Sequence, residues 1–496
     1  MERGKSAMKG KSYMKQKAVA RALTLALIII LLLTGCAAPL QNRGVVAEPP
    51  QDVVVVPADP QEEDPADLQE EIPAAPQEGA PSTSGRPETP SAEDEAALAG
   101  IGSIQPVSTV TLPPSAHTFR NSTPRMQRVT GEVRGVWISF LEFDHLLRGG
   151  TQERFTANIR RVFDNCLNYG INTVIVQVRP FADALYPSAY FPWSHFATGT
   201  EGVNPGFDPL AIMVDEAHAR GMRFEAWINP YRIRAAGSRV PLSANNQATR
   251  WINERNPAVI QYNGIISYNP ASAQARELIV NGVREIVRNY SVDAIHIDDY
   301  FYPTTSAGFD AASFRAYQNA GGRLSLGDWR RQNVETLLRE MYSAIKEIDS
   351  SVLFGISPQS RIQYNFTNLY LDVAKISSNP GFADYIMPQI YFGFQHATQP
   401  FQRVLEEWNA IVDPRYVNLY IGLAAYKSGV VDTWAGAGRN EWLDNANLLR
   451  RKVEASRGMS NYAGFVIFRY DSLFAPAQSV AAHVNREYQN LRAILN

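Results

Sequence analysis

Cysteines and paired histidines are scarce in this chain of 496 residues, and their scarcity excludes several kinds of site. Cys36 and Cys166 are its only cysteines, which is too few for a disulfide scaffold or a cysteine-based zinc site. The seven histidines form no His-x-His or His-x-x-x-His pair, so we expect no metal site. Gly-rich turns of the kind that cradle phosphates are also missing, and the sequence predicts no cofactor.

An excess of charge of one sign is missing from the chain as a whole, because 47 basic residues face 49 acidic ones. Domains that bind nucleic acids are strongly basic, so we expect no nucleic-acid partner. Residues 46–100 depart from this average, since they contain ten prolines, fourteen acidic residues and Arg86 as their one basic residue. We expect residues 36–127 to form a disordered Pro/Glu-rich linker that charge repulsion keeps extended.

One long apolar run, residues 22–33, follows a basic amino-terminal segment and is too short to span a bilayer comfortably. It has the length of a secretory signal and leads into Thr34-Gly35-Cys36, which resembles the bacterial lipoprotein signal. We therefore predict a signal peptide over residues 1–35 and an acylated Cys36. The lipid on Cys36 would anchor an extracytoplasmic protein to the membrane of a bacterial cell envelope. An uncleaved signal anchor with an incidental Cys36 is the alternative.

A repeated strand–helix unit occupies the rest of the chain. Helix-length amphipathic stretches at residues 155–169, 210–220, 275–290, 330–348, 442–455 and 477–494 alternate with short β-rich runs. Eight units predict an α/β fold, a (β/α)₈ TIM barrel over residues 128–496. An open doubly wound sheet is the alternative, which the strand number and the lack of a Gly-rich turn disfavour. The predicted strands are residues 133–140, 172–180, 223–229, 292–298, 352–357, 384–391, 417–425 and 464–470.

Side chains at the carboxyl ends of these strands form the predicted mouth of the barrel, where barrel enzymes place their active sites. Side chains alternate between the interior and the helix layer, so parity predicts which of them point inward. Asp298 is the one carboxylate expected at the rim, whereas His296 and Glu225 lie deeper and are expected to be hydrogen-bonded core residues. The others predicted to face inward are Gln177, Arg179, Trp227, Asn229, Ser357, Gln389, Tyr391, Tyr426, Phe468 and Tyr470.

This mixture of flat aromatic rings, amides and a carboxylate is typical of a site that binds sugars. Because no histidine pair is present, metal-dependent deacetylation of a glycan is disfavoured. Cys166 lies on a predicted helical face beside apolar residues, and we expect it to pack in the core.

A series of sequence segments between residues 132 and 470 resembles, in the same order along the chain, the glycosyl-hydrolase-like family 10 proteins. The most distinctive is His-Ile-Asp-Asp-Tyr-Phe-Tyr-Pro at residues 296–303, and others are Ala-Trp-Ile-Asn-Pro-Tyr-Arg at 226–232 and Asp-Tyr-Ile-Met-Pro-Gln-Ile-Tyr at 384–391. The resemblance implies a barrel glycosidase that acts on bacterial cell-wall glycan, particularly strands stripped of their stem peptides. It places Asp298 as the acid of the fourth strand, with Asp299, Tyr300 and Tyr302 nearby. Glu225 and Phe392 depart from the family's expected histidine and tryptophan.

Hydrolysis of a glycosidic bond normally needs two carboxyl groups. We assign Asp298 as the principal one and Asp299 as its catalytic partner, but Asp183, Glu142, Asp144, Asp471 or an N-acetyl group of the substrate remain alternatives for the second role. A non-catalytic glycan-binding lipoprotein is the alternative function, and a sugar isomerase or lyase is a third. The sequence leaves the oligomeric state open. The predicted substrate-binding residues are Arg179, Asp183, Trp227, Asn229, Tyr300, Gln389, Tyr391 and Tyr426.

Overall fold

The computed structural model describes residues 131–495 of the chain. The predictions for the signal peptide at 1–35, for Cys36 and for the linker at 36–127 lie outside these residues. Within residues 131–495, no helix combines the length and the apolar composition that crossing a bilayer requires. The strands are β1 (Val133–Ile138), β2 (Thr173–Arg179), β3 (Arg223–Ile228), β4 (Arg232–Arg234), β5 (Val259–Tyr262), β6 (Ile265–Tyr268), β7 (Ala294–Ile297), β8 (Leu353–Ile356), β9 (Tyr385–Ile386), β10 (Asn418–Ala424) and β11 (Tyr462–Phe468).

Eight of these strands form a closed parallel barrel in the order β1–β11–β10–β9–β8–β7–β3–β2. The prediction of a TIM barrel is confirmed, and each of the eight predicted strands overlaps one barrel strand. β9 is much shorter than expected, because Pro388 has no backbone N–H with which to continue a regular ladder. The pairing resumes one residue later, where Gln389 bridges both Gln359 and Gly422.

Helices surround the barrel and begin at side-chain caps that the sequence supplies. Thr151 caps the helix at Gln152–Tyr169, and Ser325 caps the long helix at Leu326–Ile348. The helix predicted at 442–455 is divided into two, because extended backbone at Asn445 interrupts it. The α-helices are Phe140–Leu146, Gln152–Tyr169, His195–Thr198, Pro209–His218, Gln247–Asn253, Ala273–Asn289, Ala311–Asn319, Leu326–Ile348, Ile362–Thr367, Val373–Ser378, Phe401–Ile411, Glu441–Asp444, Leu448–Arg457, Tyr470–Phe474 and Ala481–Arg492, with 3-10 turns at Ala425–Lys427 and Gly436–Gly438.

Two apolar layers hold the barrel together. The larger lies between the strands and the helices and includes Cys166, which is fully buried as expected. The smaller fills the barrel interior, where Gly355 leaves room for the ring of Tyr385: a Cβ at Gly355 would stand 1.7 Å from that ring. Interior packing closes the lower barrel, so a ligand of the barrel itself can enter only at the mouth. The interior residues are Val133, Trp137, Ile175, Trp227, Ala294, Leu353, Tyr385, Met387, Tyr420 and Val466.

A second, antiparallel sheet with the order β4–β6–β5 lies between β3 and β7 in the sequence and was not predicted. Its strands have only three or four residues, which is too short for a clear alternation of apolar and polar positions. Asn263 and Gly264 join β5 to β6 with positive φ angles of 47° and 81°, as a tight two-residue hairpin turn requires. This small sheet positions Arg232 beside the barrel mouth.

Candidate active site

A chain of oriented hydrogen bonds leads across the barrel mouth to Asp298, at the carboxyl end of β7. The backbone N–H of Phe140 donates to Gln177 Oε1 at 3.1 Å, and Gln177 Nε2 donates to Asn229 Oδ1 at 2.7 Å. Asn229 Nδ2 then donates to Asp298 Oδ2 at 3.3 Å. The first donor is a backbone N–H, which can only donate, so all three hydrogen bonds run in the same direction. The last of them presents an N–H of Asn229 to the carboxyl group of Asp298.

The environment of Asp298 raises the pKa of its carboxyl group toward neutral pH. Burial raises the pKa of Asp298 to about 7, while the charge of Arg232 and the hydrogen bond from Asn229 oppose this shift. The residue is 5% exposed, and its Oδ1 has no hydrogen-bond partner among residues 131–495. A carboxyl group of this kind can hold a proton and release it to a substrate atom at the mouth.

Arg232 is a site residue that the parity argument missed. Its guanidinium lies between two aromatic rings, 4.6 Å from the centroid of Phe181 and 4.5 Å from that of Tyr300. These contacts hold a fixed positive charge near Asp298 and bring the predicted residue Tyr300 to the mouth. The sequence signal was the arginine that ends the Ala-Trp-Ile-Asn-Pro-Tyr-Arg segment, beyond the end of β3.

Asp299 follows Asp298 at the rim and is only partly buried. Its Oδ2 accepts a short hydrogen bond from Nε2 of Gln359, which follows β8. The two adjacent carboxyl groups therefore differ in environment, because Asp298 is enclosed whereas Asp299 is hydrogen-bonded and closer to solvent.

Aromatic side chains form the other side of the mouth, at the ends of β9, β10 and β11. The ring of Tyr391 lies 5.8 Å from that of Tyr426 and 5.9 Å from that of Phe468. Gln389 is nearby in sequence and donates through Nε2 to the carbonyl oxygen of Ser357 at 3.1 Å. The structure thus brings Tyr391 and Tyr426 together as predicted, in a group of rings suited to the apolar face of a sugar.

Comparison with known proteins decides the family. The model of the family described as Glycosyl hydrolase-like 10 matches residues 132–435. The chain belongs to this family. The glycosyl hydrolase YngK of Bacillus subtilis is 37% identical over 339 residues, which cover 62% of this chain and 64% of YngK. The glycosyl hydrolase DigH of Escherichia coli K12 is 31% identical over 424 residues, which cover 76% of this chain and 91% of DigH. Among solved structures, the PgaB (BpsB) glycoside hydrolase domain of Bordetella bronchiseptica covers 72% of this chain and 99% of that domain, at 11% identity and a TM-score of 0.45.

Membership of the glycosyl hydrolase-like 10 family, together with the closed barrel, establishes a glycoside hydrolase-like TIM-barrel protein and implies a polysaccharide substrate. One departure from the family's expected pattern, Glu225, has a structural explanation. The phenol of Tyr385 donates a short hydrogen bond to Glu225 Oε2, and Arg223 pairs with its Oε1. A carboxylate held in this way beneath the site is a buried structural group, as the strand parity suggested.

His296 belongs to the same buried network and is also structural. Trp137 Nε1 lies 3.2 Å from its Nε2, and the phenol oxygen of Tyr385 lies 3.0 Å from its Nδ1. The indole can only donate, so Nε2 accepts and Nδ1 carries the proton. Burial lowers the pKa of His296 to about 3, so the ring is neutral at physiological pH.

Arg179 was predicted to line the mouth, and the structure shows that this prediction is wrong. A register shift between Gln177 and Arg179 in the pairing of β2 with β3 changes the parity at the end of the strand. The guanidinium of Arg179 consequently packs 4.2 Å from the ring centroid of Phe191 and close to Gly282, which lies on the helix Ala273–Asn289. Arg179 supports the loop after β2 from the helix layer.

Two other predicted positions differ from expectation. Tyr470 begins a short helix instead of continuing β11, and its hydroxyl accepts a 2.8 Å hydrogen bond from Asn165 in the helix layer. Asp183 is 1% exposed, and its Oδ2 lies 3.4 Å from Nδ1 of His195 beneath the loop after β2. Its Oδ1 has no hydrogen-bond partner among residues 131–495, and the role of Asp183 in substrate binding stays a prediction.

The remaining candidates for a second carboxyl group lie near the ends of β1 and β11. Glu142 accepts hydrogen bonds from the N–H and the hydroxyl of Ser139 and from Arg469, and so acts as a capping residue. Asp144 is mostly exposed and pairs with Arg148 one helical turn later. Burial and the charge of Glu142 raise the pKa of Asp471, which lies on the opposite side of the barrel from Asp298. Asp299 lies next to Asp298 at the end of β7, and its catalytic role stays a prediction.

Proposed function

We propose that this protein is a lipid-anchored, extracytoplasmic glycoside hydrolase that acts on bacterial cell-wall glycan, and that peptide-poor peptidoglycan strands are its substrate. The observation that carries the proposed activity is the buried carboxyl of Asp298, whose pKa of about 7 suits a proton donor at the barrel mouth. The family to which the chain belongs and two relatives named glycosyl hydrolases support hydrolysis of glycosidic bonds as the reaction. The segments that resemble cell-wall glycosidases support the substrate.

In the proposed mechanism, protonated Asp298 gives its proton to the glycosidic oxygen as the bond to the sugar carbon breaks. The electron pair of that bond leaves with the oxygen, and positive charge develops on the sugar ring. Asp299, as a carboxylate, stabilises this charge or directs the attacking water. Asn229 keeps the carboxyl of Asp298 in place while it loses its proton. Tyr300, Tyr391 and Tyr426 would pack on the sugars on either side of the bond.

The proposed activity is tested by incubating the purified protein with cell-wall glycan that carries stem peptides and with glycan from which they have been removed. We expect release of short sugars from the peptide-free glycan, detected by mass spectrometry, because its chain can enter the mouth without attached peptides. The new chain ends would identify the bond that is cut. Binding without release would instead favour the non-catalytic glycan-binding protein.

The proposed location rests on Thr34-Gly35-Cys36 at the end of the apolar run. If lipid on Cys36 anchors the mature protein, the wild-type chain should sediment with membranes and incorporate a labelled fatty acid. The Cys36→Ser chain should incorporate no label, because the acyl acceptor is absent. The Cys166→Ser chain is the matched control and should behave as wild type. Labelling of the Cys36→Ser chain would contradict the proposal.

A further inference from the structure

We propose that a second concave site beside the mouth binds another sugar unit of the same polysaccharide, a unit that bears a free carboxylate. This inference rests on the proposed function and adds a binding site to it. The site is a cavity of about 310 Å³ with a mixed lining of rings, amides and one guanidinium. Its lining includes the side chains of Tyr190, Phe191, Trp193, Asn245, Gln247 and Arg250.

The position of this cavity suits a long substrate. Its aromatic wall belongs to the loop that leaves the carboxyl end of β2, and its polar wall belongs to the segment between β3 and β7. Both walls therefore belong to segments that leave the carboxyl ends of β2 and β3, the end of the barrel at which the mouth lies. None of the mouth residues Asp298, Tyr391 and Tyr426 lines the cavity. A polymer in the mouth can therefore extend into a site that a short fragment does not reach.

The cavity walls are fixed before a ligand arrives. Glu285 accepts hydrogen bonds from the hydroxyl of Ser188 and, at 2.6 Å, from the N–H of Ala189. The same hydroxyl accepts the N–H groups of Tyr190 and Phe191 at 3.1 Å each. Preformed walls lower the entropic cost of binding, which is the property expected of a binding site.

The other wall is fixed by equivalent contacts. Glu201 accepts hydrogen bonds from the backbone of Ser243 and from the side chain of Asn246, at 2.9 Å each. Beneath the aromatic wall, Arg179 packs against the ring of Phe191. The arginine that the sequence assigned to the mouth thus contributes to this second site as a support.

The lining residues indicate the chemistry of the ligand. Tyr190 and Trp193 offer partly exposed rings for the apolar face of a sugar, and Asn245 and Gln247 offer hydrogen-bonding groups for its hydroxyls. Arg250 is exposed, and its Nη2 donates to the carbonyl oxygen of Asn245 at 3.3 Å. Its planar fork matches a carboxylate. Cell-wall glycan that has lost its stem peptides exposes the carboxylates to which those peptides were joined.

The experiment measures how much full-length protein is retained on insoluble polymers, with Asp298→Asn in every chain so that the polymer is not cut. The polymers are peptide-free cell-wall glycan and chitin, which lacks carboxylates. Trp193→Ala should weaken retention on both polymers roughly fivefold, because each offers a sugar face. Arg250→Gln should weaken retention roughly fivefold on the cell-wall glycan alone, because chitin has no anion to bind.

Matched control variants come from the opposite face of the barrel. Tyr416 and Arg415 are exposed in the turn that precedes β10, and Tyr416→Ala and Arg415→Gln should leave retention on both polymers unchanged. Equal retention of the Trp193→Ala, Arg250→Gln and parent chains would overturn the second site, and so would a parent chain that does not bind. The proposed hydrolysis is judged separately by sugar release from the chain with Asp298 intact, so either proposal can fail without the other.

Discussion

Replacing Asp298 with Asn should lower glycan cleavage by about 10²- to 10⁴-fold, the range expected when a general acid is lost. An asparagine can still accept the hydrogen bond from Asn229 but cannot supply a proton to the leaving oxygen. Binding of peptide-free glycan should therefore persist. The measurement is the rate of sugar release by mass spectrometry, beside a sedimentation assay for binding. Wild-type turnover in the Asp298→Asn chain would remove Asp298 from the catalytic role.

The raised pKa of Asp298 also predicts how the Asp298→Asn substitution affects stability, and a melting experiment therefore serves as the control for folding. The folded state raises this pKa from an ordinary value near 4 to about 7, so the native protein binds more protons than the unfolded chain between those values. Wild type should therefore lose stability from this group as the pH rises through that interval. The Asp298→Asn chain has no such titration, and at pH 8 it should melt at a temperature no lower than wild type.

The same titration sets the pH dependence of the wild-type rate. If Asp298 is the proton donor, as we propose, its protonated form is the active one, and the rate should fall about tenfold per pH unit above roughly pH 7. Arg232→Gln removes a positive charge that opposes protonation, so the falling limb should move to higher pH. Movement of the falling limb of the pH–rate profile to lower pH in the Arg232→Gln chain would contradict the prediction that the charge of Arg232 lowers the pKa of Asp298.

Replacing Asp310 with Ala should lower the free energy of unfolding by about 3–5 kcal/mol, the cost of breaking a buried ion pair from one side. Asp310 and Arg330 form this pair with both side chains fully buried, and Arg330 Nε donates to Asp310 Oδ2 at 3.0 Å. Arg330 also donates to the carbonyl oxygens of Thr305 and Ser306 and to the hydroxyl of Tyr370. Without Asp310, a guanidinium charge remains buried with no anion beside it.

Chemical denaturation monitored by tryptophan fluorescence measures this effect. Glu454→Ala is the matched control, because Glu454 pairs with Arg450 on an exposed helical face and its loss should cost less than about 1 kcal/mol. The pair of Asp310 and Arg330 fixes the segment that follows Asp299 and Tyr300, so the Asp310→Ala chain should also lose glycan cleavage. An Asp310→Ala chain as stable as the Glu454→Ala chain would contradict this account.

The fold could be predicted from the eight strand–helix units of the sequence. The inward positions of His296 and Asp298 could be predicted because β7 pairs regularly with both of its neighbours. Regular pairing preserves the alternation of side chains, so parity placed His296 and Asp298 inside the barrel. The same argument failed for Arg179, because a single irregularity in a strand reverses every later position. Such an irregularity leaves no pattern in the residues of β2 themselves.

The alternation of side chains along a strand gives no information about three other features: Arg232, Glu142 and the cavity beside the mouth. Arg232 lies on a three-residue strand whose partner, β6, is more than thirty residues away in the chain, so no local pattern indicates its position. Glu142 was detectable: Ser139 and Glu142 have the spacing of a capping box, which would have removed Glu142 from the candidate acids. The cavity beside the mouth is formed by segments that are distant in sequence, so it can be recognised only in the folded structure.

The small β4–β6–β5 sheet and the barrel contribute different groups to the candidate site. Asp298, the proposed proton donor, follows β7 of the barrel, whereas Arg232, whose charge opposes the rise in the pKa of Asp298, lies on β4 of the small sheet. Substitutions in residues 232–268 can therefore retune the acidity at which the donor works without disturbing the strands that hold it.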